Sequence, residues 1–470
     1  MREIYDVALA RIQRALAAIK LCRFWAILVF SRDRDMAKPS IPLSSTNSST
    51  PSPQSSVSHT GETIIRPTQG NSGRRNARLL LAILGLGIAN SADAIIRNVG
   101  PGQNYATPCA AIAAASDGDT IQIDAAGSYN GDVCAWTKNA LILKGINGRA
   151  HIDAANQNAQ GKAIWVISGN DTVIDNIEFS GCHVPDANGA GIRQEGVNLT
   201  VRHAYFHDNE NGILAGDKSG STIIIESSEF AHNGAGDGKS HNLYINHVDK
   251  LIFQYNYSHG AYIGHLLKSR ALQNDILYNR LSGDPGGSES YEINLPNGGL
   301  SYVIGNLIEQ PATSPNSAIL DYRSETDGMN ADDRLFVVNN TFVNDKGVGT
   351  FLQIAAGTAS AAVASNNIFY GGGTISSQSS TLLSHNYSGG NPMFVNIGNF
   401  DYRLQLGSAA MDAGINPGSG AGRSLLPTQE YVQPTATQLR PSNAVIDIGA
   451  YEFMPDPIFC DGFETIKSCN

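Results

Sequence analysis

IDNIEF at residues 174–179 is echoed by RHAYF at 202–206, ESSEF at 226–230, QYNY at 254–257, LYNRL at 277–281, GNLI at 305–308, NNTF at 339–342 and NNIF at 366–369. Each segment closes a short β-branched run with a small polar turn and one large apolar residue. Those residues are Phe179, Phe206, Phe230, Tyr257, Leu281, Ile308, Phe342 and Phe369, separated by 27, 24, 27, 24, 27, 34 and 27 positions. A unit this short cannot bury its own apolar face, so successive copies must stack and share one continuous core. Asn279, Asn306, Asn340 and Asn367 fall just before the large residue in four successive copies. Stacked above one another, such amides hydrogen-bond along the pile and hold a tight turn.

Strand chemistry fits these runs. TVIDNIEF (172–179), STIIIESSEF (221–230) and DRLFVVNNTF (333–342) are dominated by Val, Ile, Thr and Phe and alternate at a period of two. The three- and four-residue apolar spacing of a helical repeat is absent from the region. The whole pattern after residue 95 resembles the right-handed parallel β-helix of the pectin-lyase-like superfamily. That resemblance implies an all-β solenoid with an N-terminal helical cap and a C-terminal cap segment. It is specific for fold and not for reaction, because the same solenoid carries lyases, hydrolases, epimerases and phage or adhesin fibres.

The chain has 470 residues, 49 of them Gly, and only 16% are charged, so one large solenoid with caps accounts for it. A net charge of -10 and a pI near 5.5, with no basic cluster after the repeats, argue against an electrostatic nucleic-acid surface. An acidic protein still binds an acidic sugar if a local cationic groove or a bridging divalent ion is present.

Residues 1–94 read as a leader, with a Ser/Thr/Pro-rich stretch from Pro39 to Pro67 too poor in apolar residues to fold. Arg74, Arg75 and Arg78, the apolar run LLLAILGLGIA (79–89) and Ala92-Asp93-Ala94 then follow in the order of a secretory signal. The run is too short to span a bilayer. Cleavage near Ala94 is expected, giving an exported protein without a membrane span; retention as an anchor is the alternative. Five cysteines remain after cleavage, and close spacing pairs Cys109 with Cys134 and Cys460 with Cys469. Cys182 is left over, either as a catalytic thiol or as a buried free cysteine.

Residues 95–395 are assigned to the β-helix, 396–453 to C-terminal coils and cap, and 454–470 to a Cys-containing tail. The Ala-rich stretch within YATPCAAIAAASDGDTIQIDAAGSYNGD (105–132) resembles the helix that covers the open end of many secreted β-helices. NPMFVNIGNFDYRLQLGSAAMDAG (391–414) and RPSNAVIDIGAYEF (440–453) resemble the closing segment of secreted bacterial β-helix proteins, with Asp412 and Asp447 forming turns. The tail DPIFCDGFETIKSC (456–469) resembles a short C-terminal element of secreted proteins of some Gram-negative bacteria. With the signal segment and the cysteines, the expected location is outside the cell or at its surface.

The polar residues that bear on function fall on four successive coils: HNLYIN (241–246), HLLKSR (265–270), YEINLP (291–296) and AILDYR (318–323). With Leu243, Ile245, Leu267, Ser269, Ile293, Leu295, Leu320 and Tyr322 inward, alternation turns Asn242, Tyr244, Asn246, Lys268, Arg270, Glu292, Asn294, Asp321 and Arg323 outward into one strip. Matching His241 to His265 sets Tyr244 beside Lys268 and Asn246 beside Arg270. Coils sit about 4.8 Å apart, so the strip spans two or three sugar rings.

Such a strip suits a uronic acid. Abstraction of the proton next to a sugar carboxylate needs a base of lowered pKa and neutralisation of the carboxylate. Lys268 near Arg270 and Arg323 fits the base, Arg270 or Arg323 fits the carboxylate clamp, and Tyr244 or His265 fits the acid that protonates the leaving oxygen. His241, Asn242, Asn246, Glu292, Asn294, Asp321 and Arg323 are candidate substrate contacts. Glu292 with Asp321 would instead hold calcium, or act as the carboxylate pair of a glycoside hydrolase. A solvated, salt-bridged face of a non-catalytic adhesion protein is the remaining reading. His203, His207, His232, His247 and His259 read as turn residues, and Asp237 and Lys239 as part of a solubilising loop.

Family signatures narrow little. The NTD, GHG and RIK set of polygalacturonases, the WiDH motif of the main pectate lyases and the DPH motif of mannuronan epimerases are absent; Asp284-Pro285 is followed by Gly286. Leu267-Lys268-Ser269 with Arg270 resembles the Lys and Arg pairing of the calcium-using alginate and chondroitin lyase β-helices, whose Asn before the Lys is Leu267 here. The longer segments PDANGAG, GDPGGSES and YRSETDGMNADD offer walls for a groove.

Overall fold

A computed structural model describes residues 94–283, 286–442 and 445–454. The leader, most of the tail and the proposed Cys460–Cys469 pair lie outside the described residues. Within them the chain winds as a parallel β-helix, its strands stacked into one 12-stranded and two 10-stranded parallel sheets. From Ile142–Ile146 to Thr374–Ser376 each coil contributes one strand to each sheet, and the end coils add the extra strands of the 12-stranded sheet. For clarity, the 10-stranded sheet that runs from Cys134–Trp136 to Thr374–Ser376 is called the site sheet, and the one from Ala150–Asp153 to Tyr387–Gly389 the aromatic sheet.

The corner between the 12-stranded and aromatic sheets explains the repeated motif. Asn176, His203, Ser227, Tyr255, Tyr278, Asn339 and Asn366 all take the left-handed conformation, with φ between 48° and 60°. Such a residue costs about 1–2 kcal/mol in isolation. Asn176 donates its own amide to Gly145 O and Gly148 O. From Ser227 onward the residue that follows the corner ties it down with its side chain, beginning with Ser228, whose hydroxyl accepts from Ala204 N and donates to Glu226 O. From Asn256 onward that residue is asparagine. The amide of Asn256 donates to Asn279 Oδ1 at 3.1 Å, Asn279 to Asn306, Asn306 to Asn340 and Asn340 to Asn367 at 2.9 Å each, and Asn367 to Asn386 at 3.0 Å. The ladder is longer than the four expected rungs.

Two positions beyond the ladder residue, the side chain points into the core. Phe179, Phe206 and Phe230 stack there with centroids 5.0 Å apart, and Phe342 with Phe369 at 5.3 Å. Tyr257 does not belong to the column: Ser258 pairs with Phe230 and Leu281, while Tyr257 pairs with Glu229 and Arg280. Phe253, from the neighbouring sheet, lies 6.1 Å from Phe230 beside that gap.

At the N-terminal end of the solenoid, Pro108–Ala114 is a helix of about two turns that buries Ala111 and Ile112 in the same core as the first strands. Cys109 and Cys134 are disulfide-bonded, as spacing implied. Cys182 is a buried free thiol whose pKa burial pushes up to about 12, which fits core packing and not nucleophilic attack. Beyond residue 390 the chain leaves the coil path. Phe394–Asn396 with Asp401–Leu404, Ser419–Gly420 with Arg423–Ser424, and Gln429–Val432 with Ala436–Leu439 are antiparallel pairs, so 396–453 is a covering segment and not further coils. Asp447 is buried and accepts from the amides of Asp412 and Phe453, a cap role.

That covering segment decides which face stays open. Phe394, Tyr402 and Leu404 pack on Leu307, Val343 and Ile368 of the aromatic sheet. Leu425 packs on Leu277, Tyr302, Ile304, Phe336 and Val338 of the 12-stranded sheet. Neither cluster includes the site sheet. Among the described residues, no helix is long and apolar enough to cross a membrane.

Candidate functional site

The coil register expected from His241 and His265 holds. Tyr244 pairs with Lys268, Lys268 with Asn294, Asn294 with Asp321, and Asp321 with Gln353. Leu243, Ile245, Leu267, Ser269, Ile293, Leu295, Leu320 and Tyr322 are all fully buried. Tyr244, Lys268, Asn294 and Asp321 therefore form one outward column, and Asn246, Arg270 and Arg323 follow two residues on.

At the centre of this face, Lys268 and Arg270 both turn to the Tyr244 ring, with Nζ 5.2 Å and Cζ 5.8 Å from its centroid. Arg270 Nε also donates to the Tyr244 hydroxyl at 3.0 Å, and its Nη1 donates to Asn297 Oδ1. One carboxylate, Glu325, spans the two cations: Oε2 is 2.6 Å from Arg270 Nη2 and Oε1 is 3.5 Å from Lys268 Nζ. The cation side chains are only 14% and 13% exposed, more enclosed than the open strip expected, whereas Glu325 is 43% exposed.

Glu325 belongs to YRSETDGMNADD, which folds back over earlier coils. Its amide donates to Pro296 O at 3.0 Å, and Asn330 Nδ2 donates to Ala271 O at 2.9 Å. Arg323 Nη1 donates to Asn330 O at 3.1 Å. His247 Nε2 lies 3.0 Å from Gly328 O. Arg323 thus braces the loop and is not aligned with Lys268 as a second clamp.

Burial pushes Lys268 below the ordinary lysine range; Arg270 acts in the same direction and Glu325 opposes it. Burial likewise raises Asp321, although Asn294, Ser324 and Gln353 all donate to its oxygens.

Several expected roles are corrected. Glu292 is completely buried: stepping one residue back from the Ile293–Leu320 pair sets it against Ile319, a core residue. Burial, with Glu289 and Glu309 nearby, raises its pKa well above the usual carboxylate range. It lies inside the strand wall while Asp321 lies outside, so they are not a carboxylate pair. They do not fit calcium either, since Asp321 is already surrounded by amide and hydroxyl donors. Asn242 is also internal; it accepts from Asn233 Nδ2 at 2.9 Å and donates to Ser258 Oγ at 3.1 Å and His259 O at 2.9 Å. It is a ladder residue, not a substrate contact.

His241 and His265 stack at 4.2 Å and are 1% and 7% exposed. Each Nδ1 accepts a backbone amide, from His265 and Tyr291 respectively. Burial pushes His265 down to about 3 and His241 well below its usual value. Both rings are neutral supports, so His265 is not the acid. His203 and His232 are corner residues, but His207 and His259 lie on strands. Asp237 accepts from Lys239 and Ser240 and shapes its own loop. Sequence reasoning missed Glu325, Asn297 and Gln353; for Glu325 the acidic run SETD (324–327) in a proposed groove wall was the available signal, and Asn297 and Gln353 carried none.

No protein-family profile and no curated protein matches the chain. Among solved structures, the chain is similar to the pectate lyase Pel9A, with 15% identity, a TM-score of 0.49, and 77% of this chain and 97% of that one covered. It is also similar to the pectin methylesterase PemA from Erwinia chrysanthemi (14%, TM-score 0.31, covering 50% and 82%) and to that from Aspergillus niger (10%, TM-score 0.29, covering 67% and 91%).

Proposed function

We propose that the protein is exported, binds an acidic, uronate-containing polysaccharide along the open face of the site sheet, and cleaves it by β-elimination. The carrying observation is the joint hold of Lys268 and Arg270 on one carboxylate, Glu325. A clamp that fits a loop carboxylate fits a sugar carboxylate in its place. The Cys109–Cys134 disulfide supports export, because such bonds persist in oxidising compartments.

In this reading Arg270 pairs with the sugar carboxylate and stabilises the charge that develops when the adjacent C–H bond breaks. The uncharged Lys268 amine takes that proton, the C–H electron pair forms the new C=C bond, and the glycosidic C–O bond breaks. The leaving oxygen takes its proton from the Tyr244 hydroxyl, which Arg270 Nε fixes in place. Asn246, half-buried on the same face, lines a neighbouring sugar position, whereas Asn294 is buried and donates to Asp321.

The test is incubation of the chain from residue 95 with a panel of acidic polysaccharides, followed by ultraviolet absorbance of unsaturated uronate and by reducing-end release. Both signals together support elimination. Reducing ends without the absorbance mean hydrolysis, and binding without either means an adhesion protein.

A further inference from the structure

We infer that the outer face of the aromatic sheet carries a second site, a transition-metal site of the two-histidine, one-carboxylate type built from His151, Glu178 and His207. The candidate ion is zinc or another divalent cation that prefers imidazole. This site is remote in the fold from the Lys268 face, which lies on a different sheet, and it does not depend on the function proposed above.

Three adjacent coils supply the ligands, on strands Ala150–Asp153, Ile177–Ser180 and Tyr205–His207. Register pairs His151 with Glu178 and Ser180 with His207, so the side chains converge from the same outer face. His207 Nε2 is 3.1 Å and His151 Nε2 is 3.6 Å from Glu178 Oε1, and all three ligand atoms lie within 4.8 Å of one another. Ligand atoms around a tetrahedral zinc ion with bonds near 2.0–2.1 Å stand about 3.3 Å apart. The two contacts to Glu178 bracket that value. A water takes the fourth position; Ser180 Oγ, 2.7 Å from His151 Nε2, is a hydrogen-bond neighbour that is too close to that nitrogen to be a co-ligand.

The second shell supports the assignment. His207 Nδ1 is 2.7 Å from Asp208 Oδ2, which fixes the ring and leaves Nε2 toward Glu178. A carboxylate behind a ligating histidine is the usual way a protein orients that ligand and raises its basicity. Partial exposure of His151, Glu178 and His207, at 42%, 24% and 18%, gives an ion a path in from solvent. The alternative is a plain His–Glu ion-pair cluster with no metal affinity.

The test is a titration of the tag-free, chelator-stripped full chain with cobalt(II), read by its visible ligand-field absorption, and with zinc by calorimetry. One ion per chain with tetrahedral cobalt intensity is expected. His151→Ala, His207→Ala and the size-conserving Glu178→Gln should each abolish that spectrum, and Asp208→Asn should weaken binding about 10- to 100-fold. Circular dichroism confirms that each variant is folded. Failure of the wild type to bind, or equal binding by the folded His151→Ala/His207→Ala double variant, overturns the assignment.

Discussion

Glu325 closes on Arg270 with 2.6 Å between Oε2 and Nη2, so a loop carboxylate occupies the cation clamp assigned to the substrate. Substrate must displace it. Glu325→Gln removes the negative charge and keeps the shape, and it should lower KM for an acidic polysaccharide. The same change alters pH dependence. Glu325 raises the Lys268 pKa, so its removal lets the amine lose its proton at lower pH, and the acid limb of the kcat/KM profile should move down. An unchanged acid limb would remove Lys268 as the titrating base.

Lys268→Ala and Arg270→Ala separate catalysis from folding. Loss of a general base typically costs ~10²–10⁴ in rate, and loss of a charge-stabilising donor ~10²–10³. Neither residue is in the core, so melting temperature should fall only slightly; Arg270→Ala loses more because it forfeits its bonds to Tyr244 and Asn297. Full activity in either variant refutes the assignment of that residue.

The fold and the outward column were legible because both rest on periodicity. The interval between His241 and His265 fixed the Tyr244–Lys268 pair without any structure. Errors arose where period fails. Asn242 with Leu243, and Glu292 with Ile293, point inward consecutively, because the chain turns a corner before the strand begins and alternation does not extend through it. Size alone points to Tyr257 as the core residue of its coil, whereas counting two residues from Asn256 leads to Ser258, as it leads from Asn279 to Leu281. Glu325 was invisible for a different reason: its position depends on Asn330 and His247 anchoring a loop across earlier coils, contacts that carry no repeat. The His151–Glu178–His207 cluster needed three strands in register and carries no local motif.

Glu309 predicts how stability varies with pH. It is 2% exposed, and burial, reinforced by Asp345 and Glu289, raises its pKa to about 8. The unfolded chain has an ordinary value of about 4.3. A raised folded pKa means its contribution is fully present below about pH 4.3 and is lost as pH rises through about 8. Glu309→Gln should flatten that decline and raise the melting temperature at neutral pH, on the order of 3 kcal/mol if the packing is kept. Parallel melting curves of variant and wild type across that pH range would disprove the titration.

Asn242 gives the sharpest contrast between structure and function on this face. As a substrate contact its loss would raise KM and spare the fold, whereas in its observed place it joins Asn233, Phe230, Ser258 and His259 inside the solenoid. Asn242→Ala strands several buried donors and acceptors at about 1–3 kcal/mol each, so the melting temperature should drop markedly with KM unchanged in the folded fraction. Ser258 sits in the phenylalanine column only because Asn242 Nδ2 and Leu266 O satisfy its hydroxyl. One coil away Phe230 has no such partners, so Phe230→Asp places an unpaired charge in the shared core and should unfold the chain outright. A soluble, cooperatively melting Phe230→Asp variant would contradict the column described here, and thermal melts of the two variants side by side decide both points.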